Sequence, residues 1–326
     1  MTLLVFDIGG FKLRAGLWCS ETRELLGRTA RPSPGRARDE SVDGVQALLD
    51  ALVEMGAELS VGRAPAQAVG VAFPGPVDAQ GRVAEAPTLW GERSGGPVEL
   101  SQVVSAAFGG LPTHVINDLT AAGSRFAEPG SDFCLVTVSS GIGNKVFLDG
   151  RPILGSEHRG GELGHWRVSL DEDAPLCECG GRGHLGALAS GRSTPHHFSA
   201  LAMSHAQLLA QSPVRALSPV DPKLNDALAR AFEAGDAFAE LVVQSCARPL
   251  GHALANLHLA IGVERFLVMG GWAQALGERY LREVESAAEA SGWGEPGLWT
   301  GRLEFAALDD DSGLIGMARY LERVIG

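Results

Sequence analysis

Two stretches of this 326-residue chain share one shape, and that shape limits the folds open to it. TLLVFDIGGFKLRAGLW at 2–18 is an apolar run, an acid, paired glycines and an alternating run. FCLVTVSSGIGNKVFLDG at 133–150 is an apolar run, small residues, Gly141 and Gly143, and a second alternating run. Each reads as a β-hairpin that turns through glycine. Two such hairpins far apart in one chain favour a duplicated α/β architecture over a single doubly wound sheet. The likeness is one of pattern, not of residue identity.

Around the hairpins, strand and helix patterns alternate. SVDGVQALLDALVEMG at 41–56 sets Val42, Val45, Leu48, Leu49, Leu52 and Val53 at helical spacing. AVGVAFPGPVD at 68–78 is a strand entering a Pro-Gly-Pro turn, and THVINDLTAAGSRF at 113–126 is a strand followed by a helix. Either Asn117 or Asp118 can cap that helix. Residues 237–260 read as a long apolar helix with a kink near Pro249. FLVMGG at 266–271 is a buried strand meeting a glycine pair, and 312–325 is an amphipathic helix. RELLGRTARPSPGRARDE at 23–40 is polar and Pro-rich, which makes at least its second half a surface loop. Repeated strand, glycine and helix units of this kind give an α/β fold.

Charge and cysteine usage exclude several classes. The net charge is −12, with 27 Lys+Arg against 39 Asp+Glu and no basic run, which argues against nucleic acid as a partner. The apolar runs fall short of the ~18 residues a spanning helix needs, so no membrane partner is expected. MTLLVFD lacks the basic start and apolar length of a secretory signal, so the expected compartment is the cytoplasm. Five cysteines in a long chain do not suggest a disulfide framework. Cys19, Cys134 and Cys246 sit alone among apolar neighbours and read as buried thiols.

FDIGGFK ends a strand with Asp7 and then removes the side chains at Gly9 and Gly10. Glycines there let backbone N–H groups approach a phosphate, and a carboxylate at a strand end can hold hydrated Mg²⁺. Any tight hairpin also uses glycine, so this stretch alone leaves both readings open. SSGIG repeats the offer with Ser139 and Ser140, and MGG at 269–271 is a third glycine turn after a strand. Neither the GxxxxGK[ST] loop nor the GxGxxG fingerprint occurs. Asp118, at a strand-to-helix junction, is placed either to take a proton from a bound hydroxyl or merely to cap the helix. In GGELGH, Glu162 and His165 lie three residues apart on one side of a turn, so one can bind a ligand while the other binds a metal.

His165, Cys177, Cys179 and His184 form H-x11-C-x-C-x4-H, with Gly180, Gly181 and Gly183 allowing sharp bends. Two thiolates and two imidazoles are a tetrahedral zinc set, closed and structural. The alternative is that both cysteines are unpaired surface thiols. His158, His196 and His197 are spare ligands.

Together these motifs resemble the ROK family (repressors, uncharacterised reading frames and sugar kinases) of the actin-like phosphotransferase superfamily. The likeness runs through DIGGFKLRAGL, VAFPGPVD, APTLW, NDLTAAG, SSGIGNKVFLDG, GGELGH, CECGGRGH, LASG, VMGGW and LDDDSGLIGMA, in order and spacing. It implies an α/β, two-domain actin-like (duplicated ribonuclease H-like) fold with a central cleft. A small N-terminal α/β domain would span 1–117, with the helix at about 312–326 packed back on it. A large α/β domain with the zinc loop would span 118–311. By the resemblance Asp118 is the catalytic base, and Asn117, Asp118, Glu162, His165 and Gly75 bind the sugar-like substrate. Asp7, Gly9, Gly10, Lys12, Ser140, Gly141, Gly143, Gly270 and Gly271 bind nucleotide and phosphate. The cofactors implied are Mg-ATP and structural zinc on His165, Cys177, Cys179 and His184. A homodimer or higher homo-oligomer is the expected assembly.

Departures from the family pattern sharpen the reading. Phe11 stands where Thr is usual, and Asn144 and Lys145 replace two glycines. Lys145 would either reach a phosphate or crowd it. Trp272 replaces a third glycine, His184 a third cysteine, and Thr88 an Asn. Gly186 stands where sugar kinases of the family carry a Glu that grips the anomeric end of the sugar. Losing that acceptor points to a cyclitol, aminosugar or otherwise altered sugar as readily as to glucose. Three readings follow: an ATP-dependent kinase with Asp118 as general base, a catalytically silent sugar-binding protein with an impaired nucleotide site, and a DNA-binding repressor. The repressor reading needs a winged-helix region ahead of the first hairpin, for which Asp7 leaves no room.

Overall fold

A computed structural model describes residues 1–34, 43–84, 86–90, 96–291, 293–307 and 309–326, apart from the side chains of Pro87 and Thr88. Residues 35–42, most of the expected surface loop together with Val42 of the expected helix, lie outside the described residues.

The first sheet grows from the first hairpin. β1 (Thr2–Ile8) and β2 (Lys12–Cys19) pair antiparallel, with Asp7 opposite Arg14. The first half of 23–40, left open by its sequence, is a strand: β3 (Glu24–Pro32) pairs antiparallel with β2. It alternates exposed and half-buried residues, the pattern of an edge strand with no apolar run to reveal it. On the other side of β1, β4 (Ala68–Phe73) and β5 (Thr113–Asn117) run parallel to it, giving the order β3–β2–β1–β4–β5.

Alternating side chains cover both faces of this sheet. Leu4, Phe6 and Ile8 pack with Leu48, Leu52 and Met55 of α1 (Gly44–Ser60) and with α3 (Leu100–Ala107), which follows the single turn α2 (Pro87–Trp90). Asp43 caps α1 through its side chain, which accepts from Val45 N–H. Leu3 and Val5 face the other way, onto Leu314, Met317 and Leu321 of α11 (Ser312–Ile325). α11 crosses α4 (Asp118–Ser124) so closely that a Cβ on Gly316 would stand 1.8 Å from the Ala121 carbonyl oxygen.

The second hairpin seeds the second sheet in the same way. β6 (Phe133–Val138) and β7 (Ile142–Leu148) are antiparallel, and β9 (Phe266–Met269) and β10 (Leu303–Phe305) extend the sheet in parallel. With the short β8 (Arg151–Pro152) the order is β10–β9–β6–β7–β8. The order therefore repeats that of the first sheet, β1 matching β6.

Among the described residues six helices accompany this sheet: α5 (Leu185–Ala189), α6 (Thr194–Ser204), α7 (Ala206–Gln211), α8 (Leu224–Glu233), α9 (Ala237–Ile261) and α10 (Gly271–Ser291). α9 continues on both sides of Pro249, starts at a capping Asp236 and ends at left-handed Gly262. Its buried face, with Val242, Val243, Leu250 and Leu254, meets Tyr280, Leu281 and Val284 of α10 in the larger core.

The chain divides into two compact units. The first comprises Met1–Gly130, Asp149–Gly160 and Leu308–Gly326, and the second Ser131–Leu148 and Gly161–Ala307. The first unit thus continues past residue 117 to take in α4 and the segment 149–160. Among the described residues no helix is long and apolar enough to cross a membrane.

Candidate functional site

In the first unit, Gly9 N–H donates to the Lys12 carbonyl at 3.0 Å and closes the first glycine turn. Gly10 and Phe11 form its tip, where Phe11 is 69% exposed. Asp7 comes to the base of this turn from the end of β1. Its Oδ2 lies 3.3 Å from Arg14 Nη1, while Arg14 Nη2 lies 3.3 Å from Asp310 Oδ1. Lys12 Nζ reaches the other Asp310 oxygen at 3.6 Å. Burial pushes the Asp7 carboxyl above its usual range, against the opposing pull of Arg14. The first turn of α11 sits directly on this carboxylate, since a Cβ on Gly313 would lie 2.6 Å from Asp7 Cγ.

Sequence reasoning missed Arg14 and Gly313. Arg14 had a signal, because a hairpin turning at 9–11 sets residue 7 opposite residue 14 on the same face. Gly313 had only its place in the motif LDDDSGLIGMA, since no local pattern reports that it packs on Asp7 at the other end of the sequence.

Asn117 and Asp118 stand where β5 becomes α4. Asn117 caps the helix. Its Oδ1 accepts from Leu119 N–H at 3.0 Å, and its Nδ2 donates to the Gly75 carbonyl at 3.0 Å. Gly75 holds φ at 122°, which favours glycine at the end of the β4 strand run. Asp118, half-buried, is the first residue of the helix, and its Oδ1 accepts from Leu119 N–H at 2.8 Å and from Asn117 Nδ2 at 3.0 Å. The three residues form one hydrogen-bonded junction that fixes the carboxylate.

In the second unit, Ser139 N–H donates to the Gly141 carbonyl at 3.0 Å in the second glycine turn, which Ser140 completes. A Cβ on Gly141 would meet nothing within 4 Å, so space beside the turn is open. Gly143 follows as the second residue of β7. Gly270 has φ 104° and lies so close to β6 that a Cβ would stand 2.4 Å from the Val138 carbonyl oxygen. Gly271 begins α10 with open space around it, and Trp272 is buried in the core.

The two residues after GIG turn inward. Asn144 is buried, and its Oδ1 accepts from Leu163 N–H at 3.0 Å, holding the 3₁₀ turn Leu163–His165. Lys145 Nζ lies 3.3 Å from Glu162 Oε1. Lys145 thus pairs with the residue that precedes the turn.

His165, Cys177, Cys179 and His184 come together, with all four ligand atoms within 4.8 Å of one another. Cys177 Sγ is 3.8 Å from His165 Nδ1, and Cys179 Sγ is 3.3 Å from His184 Nδ1. Zinc bonds of about 2.3 Å to sulfur and 2.0 Å to nitrogen set tetrahedral edges of roughly 3.3–3.8 Å, so the donor set fits that ion. Gly180 and Gly183 take φ values of 83° and 70° to bend the loop, and a side chain on Gly181 would collide with the His184 ring at 2.1 Å. Gly186, on the first turn of α5, packs against the backbone of Gly164.

The candidate residues thus fall into local groups. Asp7, Gly9, Gly10 and Lys12 share one turn, and Gly75, Asn117 and Asp118 share one junction, all in the first unit. Ser140, Gly141, Gly143, Gly270, Gly271, Glu162 and the four metal-ligand candidates belong to the second.

The ROK family model matches residues 4–324. A protein of Streptomyces hygroscopicus subsp. limoneus described as a C(7)-cyclitol 7-kinase is 44% identical over 289 residues, 86% of this chain and 81% of that protein. An N-acetylmannosamine kinase of Salmonella typhimurium is 30% identical, covering 98% of this chain and 97% of that one. The crystal structure of a ROK hexokinase from Thermus thermophilus superposes with a TM-score of 0.77 at 30% identity, covering 100% of both chains. A ROK family glucokinase from Streptomyces griseus, solved with glucose and AMPPNP, gives 0.68 at 25% identity over 98% of this chain and 99% of that one. With the family model matched almost end to end and the fold shared, this chain belongs to the ROK family.

Proposed function

We propose that this protein is an ATP-dependent kinase that phosphorylates a hydroxyl of a cyclitol or a closely similar sugar-like polyol. The observation that carries the reading is the 44% identity to a cyclitol kinase over 86% of the chain. Gly186 agrees with it, because a cyclitol has no anomeric carbon for an acid at that position to grip.

In the proposed reaction, the acceptor hydroxyl gives its proton to Asp118 while its oxygen attacks the terminal phosphorus of ATP. The bond to the bridging oxygen breaks and ADP leaves. Asn117 and the Gly75 carbonyl hold the base in place, and Glu162 accepts hydrogen bonds from the acceptor ring. Lys12 and the two glycine turns, apart from the Gly9 and Ser139 N–H groups that close them, would contact the phosphates. Bound Mg²⁺ supplies charge neutralisation on those phosphates, and Asp7 is the residue to hold it through water. Zinc on His165, Cys177, Cys179 and His184 would supply a closed structural crosslink, not chemistry. Most of the acceleration in such a site comes from positioning and electrostatics.

A phosphorylation screen across hexoses, aminosugars, heptoses and cyclitols with ATP as donor tests this reading. A cyclitol is the expected best acceptor, and turnover confined to glucose would overturn the assignment. A second reading, a polyol-binding protein without turnover, draws on Arg14 occupying Asp7 and on exposed Phe11. Titration with Mg-ATP separates the two, since the second predicts no binding.

A further inference from the structure

Lys145 is 2% exposed, yet its partner Glu162 has 49% of its side chain in solvent. An ammonium withdrawn from water to that degree needs compensating charge and hydrogen bonds. Both are supplied by one turn: Nζ lies 3.3 Å from the Gly161 carbonyl oxygen and 3.3 Å from Glu162 Oε1. The stem of Lys145 runs beneath Gly161, where a Cβ would stand 2.7 Å from Lys145 Cδ and 2.5 Å from the Asn144 carbonyl oxygen. Gly161 has φ 84°, so its glycine is required both by the backbone and by the lysine. A Cβ on Gly186 would stand 3.2 Å from the Gly164 carbonyl oxygen of the same turn, and position 186 brings no second carboxylate. A buried cation therefore backs an exposed carboxylate.

We propose that Lys145 is a positioning and specificity-determining residue whose pairing with Glu162 offsets the charge of that carboxylate where it meets the acceptor ring. Glu162 then contributes hydrogen bonds to an uncharged, hydroxyl-bearing ring but little attraction to one bearing an ammonium group. The reasoning is Coulombic. A lone carboxylate attracts an ammonium strongly, whereas one with a fixed cation 3.3 Å behind it offers little net field and still accepts hydrogen bonds from neutral hydroxyls. Glu162 then does less to compensate the desolvation penalty of a charged ligand. This inference rests on the proposed contact between Glu162 and the acceptor.

The test is calorimetric binding, without nucleotide, of two probes: a C7 cyclitol bearing only hydroxyls and its primary-amine counterpart. Wild type should prefer the neutral ring. Lys145→Met should bind that ring more weakly and the amine more tightly, shifting the preference by about tenfold, the scale of one partly solvated charge contact. Lys145→Arg should restore the wild-type preference, with zinc content and Mg-ATP affinity unchanged in both variants. Glu162→Gln should move the preference further against the amine, and it reads the same field if Lys145→Met does not fold. An unchanged ratio in folded Lys145→Met or in Glu162→Gln overturns the proposal alone. Wild type binding neither ring overturns the kinase reading and this inference with it.

Discussion

Asp118 and Asn117 divide between them two roles that either could fill by residue type. The amide caps the helix and ties it to the Gly75 carbonyl, while the carboxylate occupies the first helical position with one oxygen held by Leu119 N–H. Asp118→Asn is expected to lower kcat by about 10²–10⁴-fold, the usual contribution of a general base. An ADP-release assay should show this while polyol binding survives. Near-normal turnover would remove Asp118 from the catalytic role. Asp7 is a different case. Its partner Arg14 follows from hairpin register, but the approach of Gly313 does not, because no local pattern reports a contact between chain ends.

Two elements carry testable local energetics. The 165–184 loop gathers four ligand candidates into one cluster. One zinc per chain is expected by elemental analysis, and Cys177→Ser or a strong chelator should remove it and lower Tm, because such binding energy is folding energy. The second element is the start of α11. Arg125 grips Asp309 with two contacts, at 2.6 and 3.0 Å, and Ser312 adds a third. These bonds, Arg125 foremost, hold the Asp309 carboxyl down to about 2 from an ordinary 3.8. A folded value below the unfolded one gives stability that is complete above about pH 4 and lost as pH falls towards 2. Asp309→Asn should flatten that part of the acid limb in a pH series of urea melts. With 57% of the side chain in solvent, the effect should stay below about 1 kcal/mol. The cluster's four members could be named from spacing, whereas the Arg125–Asp309 clamp had no sequence signal at all.

At the scale of the whole molecule, two sheets with one strand order account for the recurrence of the glycine hairpins. In the first sheet the chain closes on itself, since α11 covers the face of β1 that bears Leu3 and Val5. Trp18 Nε1 also donates to Glu322 Oε1 at 2.7 Å across that contact. Deleting residues 312–326 should expose this face, so that the truncated chain loses cooperative unfolding by circular dichroism and becomes sensitive to limited proteolysis. A truncated chain that melts like the intact one would show that α11 is dispensable to the first unit.

Local chemistry was enough to read the α/β class, the two hairpins, the helices α1, α9 and α11, and the family, whereas the 21-residue α10 was not read. Each rests on periodicity, glycine placement and motif order, which are properties of neighbouring residues. β3 escaped because an edge strand needs no apolar run. The inward turn of Lys145, the division of labour at Asn117 and Asp118, and the seat of Asp7 beneath Gly313 belong to tertiary structure alone. In each, the deciding contact joins side chain or backbone atoms whose approach depends on packing elsewhere in the chain, and hydrogen-bond and charge partners are settled only when that packing fixes distance and burial.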